Sequence, residues 1–263
     1  MKTFAINFVL CLFTMFTACA NQTDNAQVSK LSNDDTYLRL SEQLVLAAKK
    51  QTNANPIKEK LRDVSIDRLA SELHNDTRKK AFWINVYNGY IQLILSENPE
   101  LFEDRSAFYS KKQVPVAGKM LSFDDIEHGI IRGSKVKLSL GLLKDPFAGS
   151  YEKTFRVNET DGRIHFALNC GAKSCPYVGI YDYEKFNEQI NKSCRIYLQQ
   201  STSYKDGVAY ISSLFNWFRG DFGSSEDIIA FLKRYEAIPQ DVDPKIEYKD
   251  YDWTLELGNF IEL

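Results

Sequence analysis

The chain of 263 residues is 44% hydrophobic and 26% charged, with 33 Lys and Arg against 35 Asp and Glu, a net charge of −2. Those proportions suit a globular chain long enough to bury a sizeable core. They give no basic excess for a nucleic-acid partner, and 13% aromatic residues exclude a disordered chain. No apolar run reaches the roughly 18–20 residues of a membrane-spanning helix.

The first residues carry an address. Lys2 precedes a run from Phe4 to Phe16 that only Asn7 and Thr14 interrupt, and the small residues Thr17 and Ala18 lead to Cys19. This is the three-part pattern of a secretory signal, expected over residues 1–18. Phe16-Thr17-Ala18-Cys19 resembles a bacterial lipoprotein box, with Phe16 where Leu is usual, and implies acylation of Cys19. Residues 19–34 then read as a lipidated cysteine and a polar tether, and 35–263 as a single globular domain. The expected location is the bacterial cell envelope, with the lipid bilayer a partner through acylated Cys19. Of five cysteines, Cys11 leaves with the signal and Cys19 carries lipid, so Cys170, Cys175 and Cys194 remain. Three thiols in an oxidising compartment allow one disulfide and leave one over.

Leu38, Leu40, Leu44, Val45 and Ala48 predict an amphipathic helix over 36–50, closed by a turn around Asn53 to Pro56. Residues 66–74 read as a short helix. Asp76 is the expected N-cap of a helix over 78–97, apolar around much of its circumference and so central. Val114 to Val116 and Lys119 to Phe123 suggest a hairpin turned at Ala117-Gly118. Ser122 and Asp125 form a capping signal for a helix through Ile131 that stops at Gly133. The apolar runs 154–157 and 164–168, separated by Asp161-Gly162, predict paired strands. A helix over 183–198, a strand over 208–212, a helix over 225–235 and strands within 246–257 complete the chain. Helices first and strands later, without strict alternation, indicate an α+β domain with a mixed or antiparallel sheet.

Three segments carry groups suited to chemistry. On a helix, Asp125, His128 and Arg132 share one face, and a carboxylate beside an imidazole fixes its tautomer; the alternative is an ordinary capped surface helix. In the second segment an apolar run leads into Asn169-Cys170-Gly171, which would present a thiol at the end of a strand, with Lys173 near to lower its pKa. Cys170 and Cys175 can equally form a small disulfide loop, and both readings stay open. No second Cys/His pair at matching spacing supports zinc, so neither metal nor cofactor is expected. The central helix buries two amides, Asn85 and Asn88, which need hydrogen-bond partners. Asn88 either bonds a neighbouring backbone or orients a histidine in a Cys-His-Asn arrangement.

Taken together, Ala81 to Asn88, Ile126 to Arg132, His165 to Pro176, Ser213 to Phe218, Asp221 to Gly223 and Tyr251 to Leu255 resemble the family called domain of unknown function 547. Leu255-Glu256 stands where that pattern usually has Leu-Asn. The resemblance implies that Asn85, Asn88, Glu127, His128, Arg132, Cys170 and Gly171 are characteristic positions, and His165 and Cys175 more variable ones. The trio Cys170, His128 and Asn88 is similar in residue type to papain-like and transglutaminase-like thiol enzymes, although their chain order differs.

The first functional expectation is a thiol-dependent hydrolase or acyltransferase acting on a peptide or amide bond. Cys170 would be the nucleophile and His128 the base, with Asn88 or Glu127 holding the imidazole; Arg132, Asn85 and His165 would bind substrate. The second is a non-catalytic envelope module binding a peptide, small molecule or protein, its Asn, Glu, His and Arg groups forming a structural network. A thiol–disulfide exchanger using Cys170 and Cys175 is third, because four residues separate them instead of two.

Overall fold

The computed structural model describes residues 35–263, except for the side chain of Leu138. The expected signal over 1–18, the lipidated Cys19 and the tether to residue 34 lie outside the described residues. Residues 37–263 form one compact unit, an α+β fold. No described helix is long and apolar enough to cross a membrane.

Helix α1 (Thr36–Lys50) buries Leu38, Leu40, Leu44 and Val45. Helix α2 (Asn55–Asp63), with proline in its first turn, starts within the turn expected around Asn53 to Pro56. Helix α3 (Ile66–Glu72) is capped by Ser65. Helix α4 (Asp76–Glu97) is the scaffold. Every residue from Ala81 to Gln92 is buried, and its N-cap is Asn75, whose side chain accepts the Arg78 N–H, one residue before the expected Asp76. A helix apolar on all sides must be surrounded, as the sequence suggested. Leu44 packs so closely on Gly89 that a Cβ there would meet Leu44 Cγ at 2.8 Å. Helix α5 (Arg105–Ser110), capped by Asp104, leads to the hairpin β1 (Val114–Val116) and β2 (Lys119–Leu121). Ala117 and Gly118 turn it with positive φ.

The next segment, Asp125–Ile131, is wound more widely than an α-helix: Arg132 N–H bonds Glu127 O, and Ser134 N–H bonds Gly129 O, each five residues back. The capping signal is real, Ser122 and Asp125 bonding one another's backbone N–H. Such wide turns are frequent at functional sites.

The strands expected at 154–157 and 164–168 are instead helix α6 (Ser150–Phe155) and a 3₁₀ segment (Gly162–Phe166). Phe155, Ile164 and Phe166 are fully buried, as expected of apolar runs, but runs this short do not distinguish strand from helix. The Asp161 carboxylate accepts both the backbone N–H and the guanidinium of Arg163, which closes a turn where a strand would need extension.

Helix α7 (Phe186–Ser201) follows, then β3 (Ser203–Lys205) and β4 (Val208–Ser212), an antiparallel pair joined through Asp206-Gly207, both at positive φ. Short helices α8 (Leu214–Trp217) and α9 (Arg219–Phe222) precede α10 (Ser225–Arg234), which opens with a complete Ser224/Asp227 capping box. Strand β5 (Lys245–Lys249) adds parallel to β4. Beyond it the described residues form no further strand, only isolated bridges of Leu255 with Ala172 and of Phe260 with Val178, where longer strands were expected. One apolar cluster surrounds α4. A second gathers Phe166, Phe215, Ile211 and Leu232 between α7, β4 and α10.

Candidate functional site: an aromatic cleft over a buried ion network

A cleft of about 360 Å³ opens where α4, the wide-turned segment, the 3₁₀ segment and the chain after β5 meet. Tyr87, Tyr109, Trp217, Phe218, Tyr251 and Trp253 form its walls, and Glu127, His128, His165 and Cys170 bring the polar groups. Trp217 stacks on Trp253 with ring centres 5.6 Å apart, so the two walls support each other.

Asn85 and Asn88 are not in the cleft; with Gln92 they lie on one face of α4 and dock the chain that carries the cysteines. Asn85 donates to Tyr181 O and accepts the Tyr181 N–H. Asn88 donates to Ala167 O at 2.8 Å and accepts the Asn169 N–H at 2.8 Å. Gln92 donates to the Asn169 side chain, which itself accepts Gly171 N–H and donates to Pro176 O. Both amides therefore satisfy backbone groups, and Asn88 bonds the Cys170 segment, with no bond to His128. Gly171, at φ +92°, brings the backbone so close to α4 that a Cβ would meet Leu95 Cδ1 at 2.9 Å. Tyr109 O–H donates to Cys170 O at 2.7 Å, completing the anchorage.

Cys170 and Cys175 are joined in a disulfide, and among the described residues buried Cys194 is the free thiol. In this state Cys170 has no thiolate. Burial pushes the Cys194 thiol far above its ordinary range, so it stays protonated.

Behind the cleft lies a chain of ionic contacts. His165 Nε2–H donates to Asp221 Oδ2 at 2.8 Å, and Arg132 Nε donates to the same oxygen at 2.6 Å. Arg132 Nη1 reaches His128 Nδ1 at 2.8 Å. Arg132 and Asp221 side chains are at most 1% exposed. Phe218 packs on two members of this chain, its ring stacked 3.8 Å from His165 and 4.7 Å from the Arg132 guanidinium carbon. Burial raises the Asp221 carboxyl, but its bonds to His165 and Arg132 outweigh that and hold it below the ordinary carboxylate range.

The network fixes protons. A guanidinium only donates, so His128 Nδ1 is the acceptor and the neutral ring carries its hydrogen on Nε2. Burial, then the Arg132 charge, depresses His128 to about 4, so the ring is neutral at pH 7. Burial also lowers His165. Its Nε2–H faces Asp221, which leaves Nδ1 as the lone-pair nitrogen. Glu127 moves the other way: burial raises it despite the nearby Arg132 charge, and it accepts a hydrogen bond from Tyr87. A carboxyl pushed up beside imidazoles pushed down is the separation acid–base sites exhibit, although structural networks also produce it.

The expected site residues thus divide. Glu127, His128, His165 and Cys170 share the cleft, Arg132 sits directly behind it, and Asn85 and Asn88 act on the backbone. In the sequence, Asp221 and the wall aromatics Trp217, Tyr251 and Trp253 stand out only as parts of the family-like motifs. Their signal was aromatic density at distant points in the chain, which spacing alone does not connect. Among the described residues no group of three or more His, Cys, Asp or Glu could hold a metal ion.

Fold and cleft together define an α+β protein with an aromatic-walled pocket closed at its base by an Arg–Asp–His network. Residues 71–198 match the family described as "Protein of unknown function, DUF547". The match takes in Glu127, His128, Arg132, His165 and Cys170; Trp217, Asp221, Tyr251 and Trp253 lie beyond it. No curated protein and no solved structure matches the chain.

Proposed function

We propose that the protein is a binding module whose cleft takes an amide-bearing ligand, such as a peptide, by an apolar side chain and its adjoining amide. The observation that carries this reading is the convergence of aromatic walls on two hydrogen-bonding groups of opposite sense. His128 Nε2–H is a donor suited to a carbonyl, and Glu127 offers oxygens suited to an N–H. Mostly apolar clefts with a few convergent polar groups are the usual form of small-ligand sites. The disulfide leaves the cleft without a resting nucleophile, which favours binding over turnover. With the export and acylation expected from the N-terminal sequence, such a module would work at the envelope bilayer.

Calorimetric titration of the full chain with blocked amino-acid amides, N-acetylphenylalaninamide and N-acetylleucinamide, tests this. Saturable heat that weakens at least about tenfold in Trp253→Ala, the loss of one aromatic anchor, supports the reading. No saturable heat with either amide, or equal affinity in Trp253→Ala, overturns it.

One observation favours a second reading, a thiol-dependent hydrolase or acyltransferase: Cys170 shares the cleft with His128, His165 and Glu127. That chemistry requires prior reduction of the disulfide. The Cys170 sulfur would then attack the amide carbonyl, its proton passing to an imidazole and on to the departing amine. Water or an acceptor amine would release the acyl group. Release of p-nitroaniline from acyl anilides only after dithiothreitol treatment, and lost in Cys170→Ser, would support it; absence of release with reductant would dismiss it.

A further inference from the structure

The two sulfurs of the disulfide stand in unequal surroundings. Cys175 Sγ accepts the backbone N–H of Cys170 at 3.0 Å and the Tyr251 O–H at 3.2 Å. Cys170 Sγ has the same hydroxyl at a longer 3.6 Å. Both cysteines are half-buried, and they face different spaces. Cys170 lines the aromatic cleft, whereas Cys175 lines a separate polar cavity of about 310 Å³, with Tyr251 common to both.

In thiol–disulfide exchange a thiolate attacks one sulfur and expels the other, and the rate depends on access to the first and on how well the second carries negative charge. Hydrogen bonds donated to a sulfur stabilise it as a thiolate. Here each sulfur is reached from a cavity, so access does not choose between them; the donated hydrogen bonds do, because they fall on Cys175 and make it the better leaving thiolate.

We infer that the Cys170–Cys175 disulfide is a redox-active exchange site, attacked at Cys170 by a thiol entering through the cleft, with Cys175 as the leaving thiolate and Tyr251 as its hydrogen-bond donor. In the first step the electron pair of the incoming thiolate forms a bond to Cys170 Sγ. The Cys170–Cys175 bond breaks, its electron pair stays on Cys175, and the Tyr251 hydroxyl and Cys170 N–H hold that charge until solvent supplies a proton. A second thiolate then attacks the outer sulfur of the mixed disulfide. The external thiols leave joined as a disulfide, and Cys170 leaves as a thiolate and is protonated. Two external thiols are oxidised and the protein disulfide is reduced; the reverse sequence oxidises a dithiol partner. Tyr251 is a positioning residue here, acting through the sulfur it bonds. The exchange needs no bound amide, so it stands apart from the reading of the cleft as a ligand site.

The test uses the folded full chain with glutathione as the probe. After brief exposure, free thiols are trapped with N-ethylmaleimide and both adducts are located by mass. The expected result is glutathione on Cys170 with N-ethylmaleimide on Cys175, and a rate of mixed-disulfide formation about tenfold lower in Tyr251→Phe, from loss of one hydrogen bond to a charged sulfur. Glutathione on Cys175, or no mixed disulfide until urea unfolds the chain, overturns the proposal. A Tyr251→Phe rate equal to wild type removes the hydroxyl from it. If that variant is unfolded by far-ultraviolet circular dichroism, the position of glutathione in the wild type still decides.

Discussion

Asp221→Asn puts the buried network under the most direct strain. Asp221 is the single carboxylate on which Arg132 and His165 converge, at 2.6 and 2.8 Å, and all three side chains are 1% exposed or less. Asparagine keeps the shape and removes the charge, leaving the guanidinium buried without its counter-ion. Breaking one side of a buried ion pair costs about 3–5 kcal/mol. Arg132 keeps its bond to His128 and its place over Phe218, so the lower end is expected, about 3 kcal/mol. For a domain of this size each kcal/mol lowers Tm by roughly 2–4 °C, hence a fall of about 6–12 °C. Urea unfolding at pH 7, followed by circular dichroism and tryptophan emission, measures it. The same experiment on Arg132→Met and on the double variant supplies the coupling. The double variant should lose clearly less than the two singles added, because no charge is left stranded. A single-variant loss under about 1 kcal/mol, or strict additivity of the two, would refute the network as described.

The wide-turned segment makes stability depend on pH. His128 titrates at about 4 when folded and near 6.5 when unfolded. The unfolded chain therefore takes up the proton first, and stability falls as pH drops from about 6.5 toward 4, by up to about 1.4 kcal/mol per pH unit from this group. Glu127, raised by burial, acts oppositely, its cost above the unfolded carboxyl value being relieved as the medium turns acid. His128→Gln should flatten the decline measured by urea unfolding across that range, and an unchanged slope would count against the neutral ring. Asn88→Ala leaves the Ala167 carbonyl and the Asn169 N–H unpaired in the interior, so a loss of about 2–5 kcal/mol is expected; a melting curve like wild type would show that other groups hold the cysteine segment. Gly141→Ala places a Cβ 2.6 Å from Arg132 Nη2 and 2.8 Å from Asp221 Oδ1 at φ +82°, whereas Gly118→Ala at φ +70° meets nothing within 4 Å. The first should cost more than about 2 kcal/mol and the second only the backbone penalty of about 1 kcal/mol; equal thermal shifts would contradict the close approach at Gly141.

The central helix was readable because its apolar residues occupy every side, and the hairpin because Ala117-Gly118 sits between short apolar runs. Gathering Glu127, His128, His165 and Cys170 around one space went beyond what spacing supplies, since it depends on docking by Asn85, Asn88 and Gln92. Asn85 and Asn88 were legible as groups needing partners, but the Tyr181 and Ala167 carbonyls they bond lie 96 and 79 residues away in the chain. The misread strands at 154–157 and 164–168 show the same limit on a smaller scale. Their burial was plain, while the Asp161–Arg163 bonds that coil the backbone depend on side-chain geometry. Asp221 was hidden for another reason: an acidic residue beside Arg219 and Gly220 reads as solvent-facing, and only the arrival of Arg132 and His165 makes it a buried counter-ion.

The central claim is that Cys170 rests as half of a disulfide in the wall of a ligand cleft, and native alkylation tests it most directly. The folded chain is treated with iodoacetamide without reductant from about pH 5 to 9, a range that brackets ordinary thiol titration, then digested and mapped by mass. The account predicts a linked Cys170–Cys175 peptide, no label on either residue at any pH, and label on Cys194 only after unfolding. Rapid labelling of Cys170 in the folded chain, especially below pH 7 and lost in His128→Ala, would contradict it and restore the thiolate–imidazole pair.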